Sequence, residues 1–331
     1  MRVPFDTMVA EFVRVLRKLG FAPDRAEACA RLFAEASRDG VYSHGLNRFP
    51  AFVDYIRRGI VDVRAEPALA AAFGPLEQWD GRRGPGNLNA RFAMGRAIDL
   101  ARRNMIGCVA LRNTNHWMRA GSYGWQAAEA GCIGIGWTNT IPNLPPWGAK
   151  APRVGNNPLF FAVPRAEGHV VLDMAMSLFS YGKLGTYRLR GEQLPFEGGY
   201  DERGELTRDP SAISKTWRPL PVGYWKGSGL SLVLDMAAAI LSGGIATWQF
   251  EKTVETGASQ VFIAFDASRL GADYVQRVAK DIIDDFHQAE PAKPGEQVYY
   301  PGERTLLTRR ESMEQGVLVE EAIWRKVVME L

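Results

Sequence analysis

The spacing of apolar residues changes character near residue 66, and no other feature of the chain constrains its fold as strongly. Before that point, 5–19 and 23–38 carry apolar side chains at helical spacing, with Pro23 near a helix start and Gly20 and Gly40 as stops. A third such stretch, 46–56, ends in Arg57-Arg58-Gly59, basic residues in a last turn followed by a glycine stop. After it come short apolar runs at 68–73, 76–79, 106–111, 132–137, 160–163, 170–174 and 260–265, each with the length of a strand. Helices are expected between them at 89–103, 123–130, 178–190, 229–242 and 273–288, and a last one at about 318–330, packed back on the N-terminal helices. Strands alternating with helices make the chain α/β, with a layered sheet as its core.

Several function classes fall away on composition. Formal net charge is +3, and the arginine pairs at 57–58, 82–83, 102–103 and 309–310 are scattered, so no nucleic acid is expected as a partner. Cys29, Cys108 and Cys132 lie far apart without a C-x-x-C pair, which predicts reduced thiols and no zinc knuckle. The most apolar stretch, 230–241, is short and interrupted by Asp235, and the first twenty residues mix charges with apolar positions. No membrane span and a cytoplasmic location are therefore expected.

The candidate chemistry centres on two of the four histidines. His44 precedes Arg48 by four residues, a spacing that would put imidazole and guanidinium on one helical face. Such a pair can hold a keto acid, the guanidinium gripping its carboxylate and the imidazole passing a proton to its carbonyl oxygen. A capping histidine beside a surface arginine would show the same spacing. His116 lies in Asn113-Thr114-Asn115-His116-Trp117, beyond the carboxyl end of a strand, where α/β sheets commonly hold ligands. Thr138-Asn139-Thr140 follows the next strand in the same way, although polar turn residues would look similar. His169 and His287 read as surface histidines, and the proline-rich stretch 141–158 reads as a binding loop.

No Rossmann fingerprint is present. Gly84-Pro85-Gly86-Asn87-Leu88-Asn89 lacks the third glycine and carries a proline in the turn. Tyr181-Gly182-Lys183 lacks the Tyr-x-x-x-Lys spacing, whereas Trp225-Lys226-Gly227-Ser228-Gly229 offers a small glycine-rich helix start that could hold a pyrophosphate. Neither a metal-ligand motif nor a G-x-S-x-G elbow occurs.

At these residues the sequence resembles the malate, L-lactate and ureidoglycolate dehydrogenase family, which binds nicotinamide cofactors without a Rossmann fold. The likeness runs nearly from end to end. It is carried by Val41-Tyr42-Ser43-His44-Gly45, Asn47-Arg48-Phe49-Pro50, Asn115-His116-Trp117-Met118-Arg119, Gly121-Ser122-Tyr123-Gly124-Trp125, Pro145-Pro146-Trp147-Gly148-Ala149-Lys150 and Gly223-Tyr224-Trp225-Lys226-Gly227-Ser228-Gly229. The resemblance implies a homodimer, a sheet-based cofactor domain over 66–300, and a helical domain of 1–65 plus about 301–331 formed by both termini. It implies NADH-linked reduction of a keto-sugar acid, with malate, lactate, ureidoglycolate and cyclic imino acids as the alternative substrates. His44 would be the proton donor, with Ser43, Arg48 and His116 lining the substrate site. Cofactor contacts would fall on His169, Val170, Val171, Leu172, Asp173, Met174 and Ala175, on Trp225 and Lys226, and on Gly302, Glu303 and Arg304. A cofactor carrying a ribose 2′-phosphate would want an arginine such as Arg304 or Arg188.

Overall fold

The computed structural model describes residues 1–251 and 254–331. The chain opens with a short strand, β1 (Arg2–Val3), and three helices, α1 (Phe5–Lys18), α2 (Pro23–Arg38) and α3 (Phe49–Arg57). Strands β2 (Ala68–Phe73) and β3 (Leu76–Asp80) follow, then α4 (Gly86–Asn104), β4 (Ile106–Asn115), α5 (Gly121–Glu129) and β5 (Cys132–Thr138). The middle holds β6 (Leu159–Val163), β7 (Val170–Met174), α6 (Tyr181–Arg190), a hairpin of β8 (Gly199–Tyr200) and β9 (Leu206–Thr207), α7 (Pro210–Thr216) and α8 (Trp225–Ser242). Next come β10 (Thr256–Asp266), α9 (Ala272–Phe286), α10 (Glu303–Gln315), β11 (Val317–Leu318) and α11 (Glu321–Arg325).

Seven strands form one mixed sheet in the order β2-β3-β4-β10-β5-β6-β7. β3 and β4 run parallel, and the other neighbours are antiparallel. The strand–helix–strand unit β4–α5–β5 therefore straddles β10, which pairs with both strands and leaves their carboxyl ends on the same edge. Helices α4 and α5 cover one face around Trp117, Tyr123, Phe160 and Phe262, all 1% exposed or less. Side chains of this size contribute about 1.5–3 kcal/mol each on full burial, so this aromatic cluster anchors the layer. The other face is covered by α8 and by the 141–158 loop through Leu144 and Val154. Among the described residues no helix is long and apolar enough to cross a membrane, and the three cysteines are free thiols.

A second core joins the two ends of the chain. Phe12 stacks on Phe49 at 4.2 Å and Phe33 meets Phe49 edge-on at 5.2 Å, with Val317, Val319, Trp324 and Val327 packed into the same cluster. The helix expected at about 318–330 starts later, at Glu321. Val317–Leu318 pairs with Arg2–Val3 as a short antiparallel ladder, and α11 starts only after it, running into one π turn at 326–330. The third helix also starts later than expected. Two tight turns, Tyr42–His44 and Leu46–Arg48, precede α3, separated by Gly45 in a non-helical conformation.

Helix α10 has no counterpart in the apolar pattern because it is polar nearly all round, with Ser312 its one buried residue. Ion pairing docks it. Arg309 meets both oxygens of Asp39 at 2.8 and 2.7 Å, and Arg119 reaches the same carboxylate at 2.6 Å from the loop after β4. Burial alone would raise the Asp39 pKa, but the hydrogen bond from Arg309 and the charges of Arg119 and Arg38 outweigh it and hold the carboxyl well below its usual range.

Candidate functional site

A cleft of about 1320 Å³ opens between the end-to-end helical core and the edge of the sheet at β7. Ser43, His44 and Arg48 line it from the two turns before α3. The continuous helical face expected for His44 and Arg48 does not exist, because Gly45, at φ −106° and ψ −121°, breaks the helix between them. What fixes the pair is the end of α2. Ser37 accepts the Leu46 amide hydrogen at 2.8 Å while donating to the Phe33 carbonyl, and buried Leu46 plugs the core beneath the turn. Ser43 Oγ sits 3.0 Å from His44 Nδ1, so the other ring nitrogen is left for a ligand.

His116 lines the opposite wall, with its ring centroid 5.7 Å from that of His44 and the planes 20° apart. It is the first residue after β4, which runs on to Asn115 and not only to 111 as the apolar run suggests. Gly86 makes this position possible: a side chain there would come within 2.2 Å of the Asn115 carbonyl oxygen and 2.3 Å of that of His116. The glycines around Pro85 thus let a helix start approach backbone, and α4 begins at Gly86 instead of the expected 89. Of the polar residues after β5, Thr140 reaches the cleft. Asn139 is consumed holding Asp235, the Ile245 carbonyl and the Ser259 amide, and Asn113 is tied to Asp80.

The expected cofactor segment is the edge strand β7. Val171, Leu172, Asp173, Met174 and Ala175 line the cleft. His169 is half-buried, its ring 5.8 Å from that of Trp125, rather than solvated as a surface histidine. Gly302 lines the cleft beside β7. Its φ is +98°, and a Cβ there would sit 3.0 Å from the Val171 amide nitrogen, so the start of α10 lies directly against the strand. The Glu303 carboxylate is turned back onto the Tyr300 amide and His287, and Arg304 lies over the Tyr299 ring at 4.9 Å. Trp225 and Lys226 are not brought to this cleft. They open α8 at an exposed position, where Ser228 accepts the Trp147 amide hydrogen and so fastens the 141–158 loop. That loop reaches the cleft through Asn143, Asn156 and Pro158.

Burial, followed by the charges of Arg48 and Arg119, lowers the His44 pKa to about 4, and burial with Arg48 and His44 holds His116 well below its ordinary value. Both rings are therefore neutral near pH 7. Burial raises the Asp173 pKa, opposed by Arg119 and the Gly121 amide hydrogen bond. One cleft residue escaped sequence reasoning altogether. Glu255 sits with its carboxylate 4.0 Å from His116 Nε2, and burial, opposed by Arg48, pushes its pKa up to about 7. No local motif marks it, since it meets His116 through the pairing of Thr256 with Asn115. Lys183 on α6 also faces the cleft.

The family described as malate/L-lactate dehydrogenase matches the chain over residues 3–328. The chain is 47% identical to 2,3-diketo-L-gulonate reductase from Salmonella paratyphi A over 331 residues, 99% of either protein. Among solved structures it is similar to malate dehydrogenase from Pyrococcus horikoshii OT3, with a TM-score of 0.90 at 28% identity over 98% of this chain and 93% of the other. Sulfolactate dehydrogenase from Methanocaldococcus jannaschii gives a TM-score of 0.91 at 27% identity over 99% and 95%.

Proposed function

The chain belongs to the malate/L-lactate dehydrogenase family, and on that premise we propose that it reduces 2,3-diketo-L-gulonate to 3-keto-L-gulonate with NADH, His44 giving the proton. It is an oxidoreductase acting on a keto acid and the corresponding hydroxy acid. The observation that carries the reading is the cleft in which neutral His44 and cationic Arg48 stand side by side facing His116.

The groups present suit a nicotinamide dinucleotide. Gly302, at the start of α10, lines the cleft and leaves the backbone of β7 approachable, and a helix start favours a pyrophosphate. Val171 to Ala175 and Gly302 would hold the cofactor, with His169, Val170, Glu303 and Arg304 behind them. When bound, the nicotinamide supplies the hydride to the keto carbon. Arg48 grips the substrate carboxylate through its planar fork. Burial and then the Arg48 charge keep His44 deprotonated in the empty cleft; the anion offsets the second of these, and His44 takes up a proton as the substrate docks and delivers it to the carbonyl oxygen. Ser43 holds the imidazole at Nδ1 throughout.

The reading extends to a cytoplasmic homodimer with the domain division 1–65 plus 301–331 and 66–300. Exposed Trp225, Val233, Met236 and Ile240 share one face of α8, an apolar stripe of the kind a second copy covers. Sedimentation at micromolar concentration tests this, and a monomer would rule it out.

The decisive assay follows loss of 340 nm absorbance with NADH, then NADPH, across 2-keto acids that include 2,3-diketo-L-gulonate, pyruvate, oxaloacetate and a cyclic imino acid. Turnover of the sugar acid above the others supports the proposal. Preference for another keto acid moves the substrate and keeps the mechanism, and silence across the panel despite cofactor binding refutes catalysis.

A further inference from the structure

Glu255 precedes β10 at the sheet edge where β4 ends. Because Thr256 is paired with Asn115, Glu255 stands opposite His116. Its side chain is 14% exposed and that of His116 16%, and the carboxylate oxygen lies 4.0 Å from Nε2. The charged and titratable groups that face it are His116 from the end of β4 and Arg48 from the turn before α3, with His44 across the cleft from His116. Among the described residues Arg48 makes no ion pair within 4.0 Å. Its charge is thus shared between whatever anion enters the cleft and the Glu255 carboxylate.

We propose that Glu255 is a proton-coupled gate on the substrate-binding arginine: an anionic keto acid binds when Glu255 is protonated and is opposed when Glu255 is ionised. The proposal rests on the keto-acid reading of the cleft. Two carboxylates beside one guanidinium repel each other, and the one already desolvated yields by taking up a proton. Both histidines hold their protons too weakly to do this in the empty cleft, whereas burial gives Glu255 an affinity for a proton near neutrality. Below pH about 7 Glu255 already carries its proton in the empty site, so it takes up none on binding. Above it the empty site is ionised while the occupied site stays protonated, and binding draws a proton from solution. The KM for the keto acid accordingly rises toward about tenfold per pH unit on the alkaline side.

The test is calorimetric titration of the protein, saturated with nicotinamide cofactor, with oxamate, an unreactive keto-acid mimic, in buffers of differing ionisation heat. Near pH 8.5 the wild type is expected to take up about one proton more per oxamate than Glu255→Gln, and near pH 5.5, where any uptake belongs to His44, the two are expected to take up the same number. Glu255→Gln is also expected to flatten the KM–pH profile, and Glu255→Asp to keep the wild-type uptake. Equal uptake by the wild type and Glu255→Gln near pH 8.5 overturns the gate while leaving the keto-acid reading standing. Absence of any oxamate binding overturns both. Should Glu255→Gln fail to fold, the wild-type profile still decides, since uptake with a midpoint near 4 instead of about 7 would belong to His44.

Discussion

The amide of Met118 donates to Nδ1 of His116 at 2.9 Å, which leaves the proton of the neutral ring on Nε2. To act as an acid His116 would have to protonate Nδ1 against that amide, so its role in the cleft is that of a hydrogen-bond donor. A glutamine side chain presents an N–H near the place of Nε2–H. His116→Gln should therefore retain much of kcat/KM while His116→Ala loses about 10- to 100-fold, the worth of one strong hydrogen bond. Equal losses in steady-state assays would return His116 to proton transfer.

His44 is expected to behave oppositely. Neither Ala nor Gln can supply a proton, so both replacements should lower kcat by about 10² to 10⁴ while cofactor binding, read by nicotinamide fluorescence, persists. The acid must be protonated to work, and its pKa of about 4 belongs to the empty cleft. The kcat of reduction should fall as pH rises through a value well above that, set by the occupied site. A near-wild-type rate in His44→Ala would remove the assignment.

Arg48→Lys keeps the charge and loses the fork. KM for the keto acid should rise by about 10- to 100-fold with kcat changed far less, because the missing contact is made before and during reaction alike. An unchanged KM would take Arg48 out of the substrate site.

Asp39 ties the end of α2 to Arg119 and Arg309. Replacing it by Asn leaves the buried Arg119 and the part-buried Arg309 without their counter-ion, at about 3–5 kcal/mol in urea denaturation. The folded pKa lies below the unfolded value, so the stabilisation is complete above about pH 4 and is lost as pH falls below it. A loss under about 1 kcal/mol would show the network to be dispensable.

Sequence patterning made the α/β class, most strands and both cleft histidines legible, for physical reasons that differ. The central strands β4, β5 and β10 are mostly buried on both faces, so their apolar runs stand out; His44 and His116 stand out as polar, titratable residues at element ends. α10 was invisible because ion pairs, not an apolar stripe, dock it. The strand Val317–Leu318 was hidden inside a helical pattern because its partner is Arg2–Val3 at the far end of the chain. Glu255 was likewise beyond reach, since only the register of β10 against β4 brings it to His116.

The pairing of Arg2–Val3 with Val317–Leu318 also joins into one core two segments translated far apart in time. Helices α1 to α3 are translated before the sheet, yet the core they share with Trp324 and Val327 closes only once those residues are translated. At roughly 5–20 residues per second, the nascent chain spends tens of seconds with Phe12, Phe33 and Phe49 incompletely covered. Removing residues 317–327 thus leaves the N-terminal helices in the half-covered state of that interval for good, and such chains should be recognised by chaperones rather than accumulate as a folded sheet with loose ends.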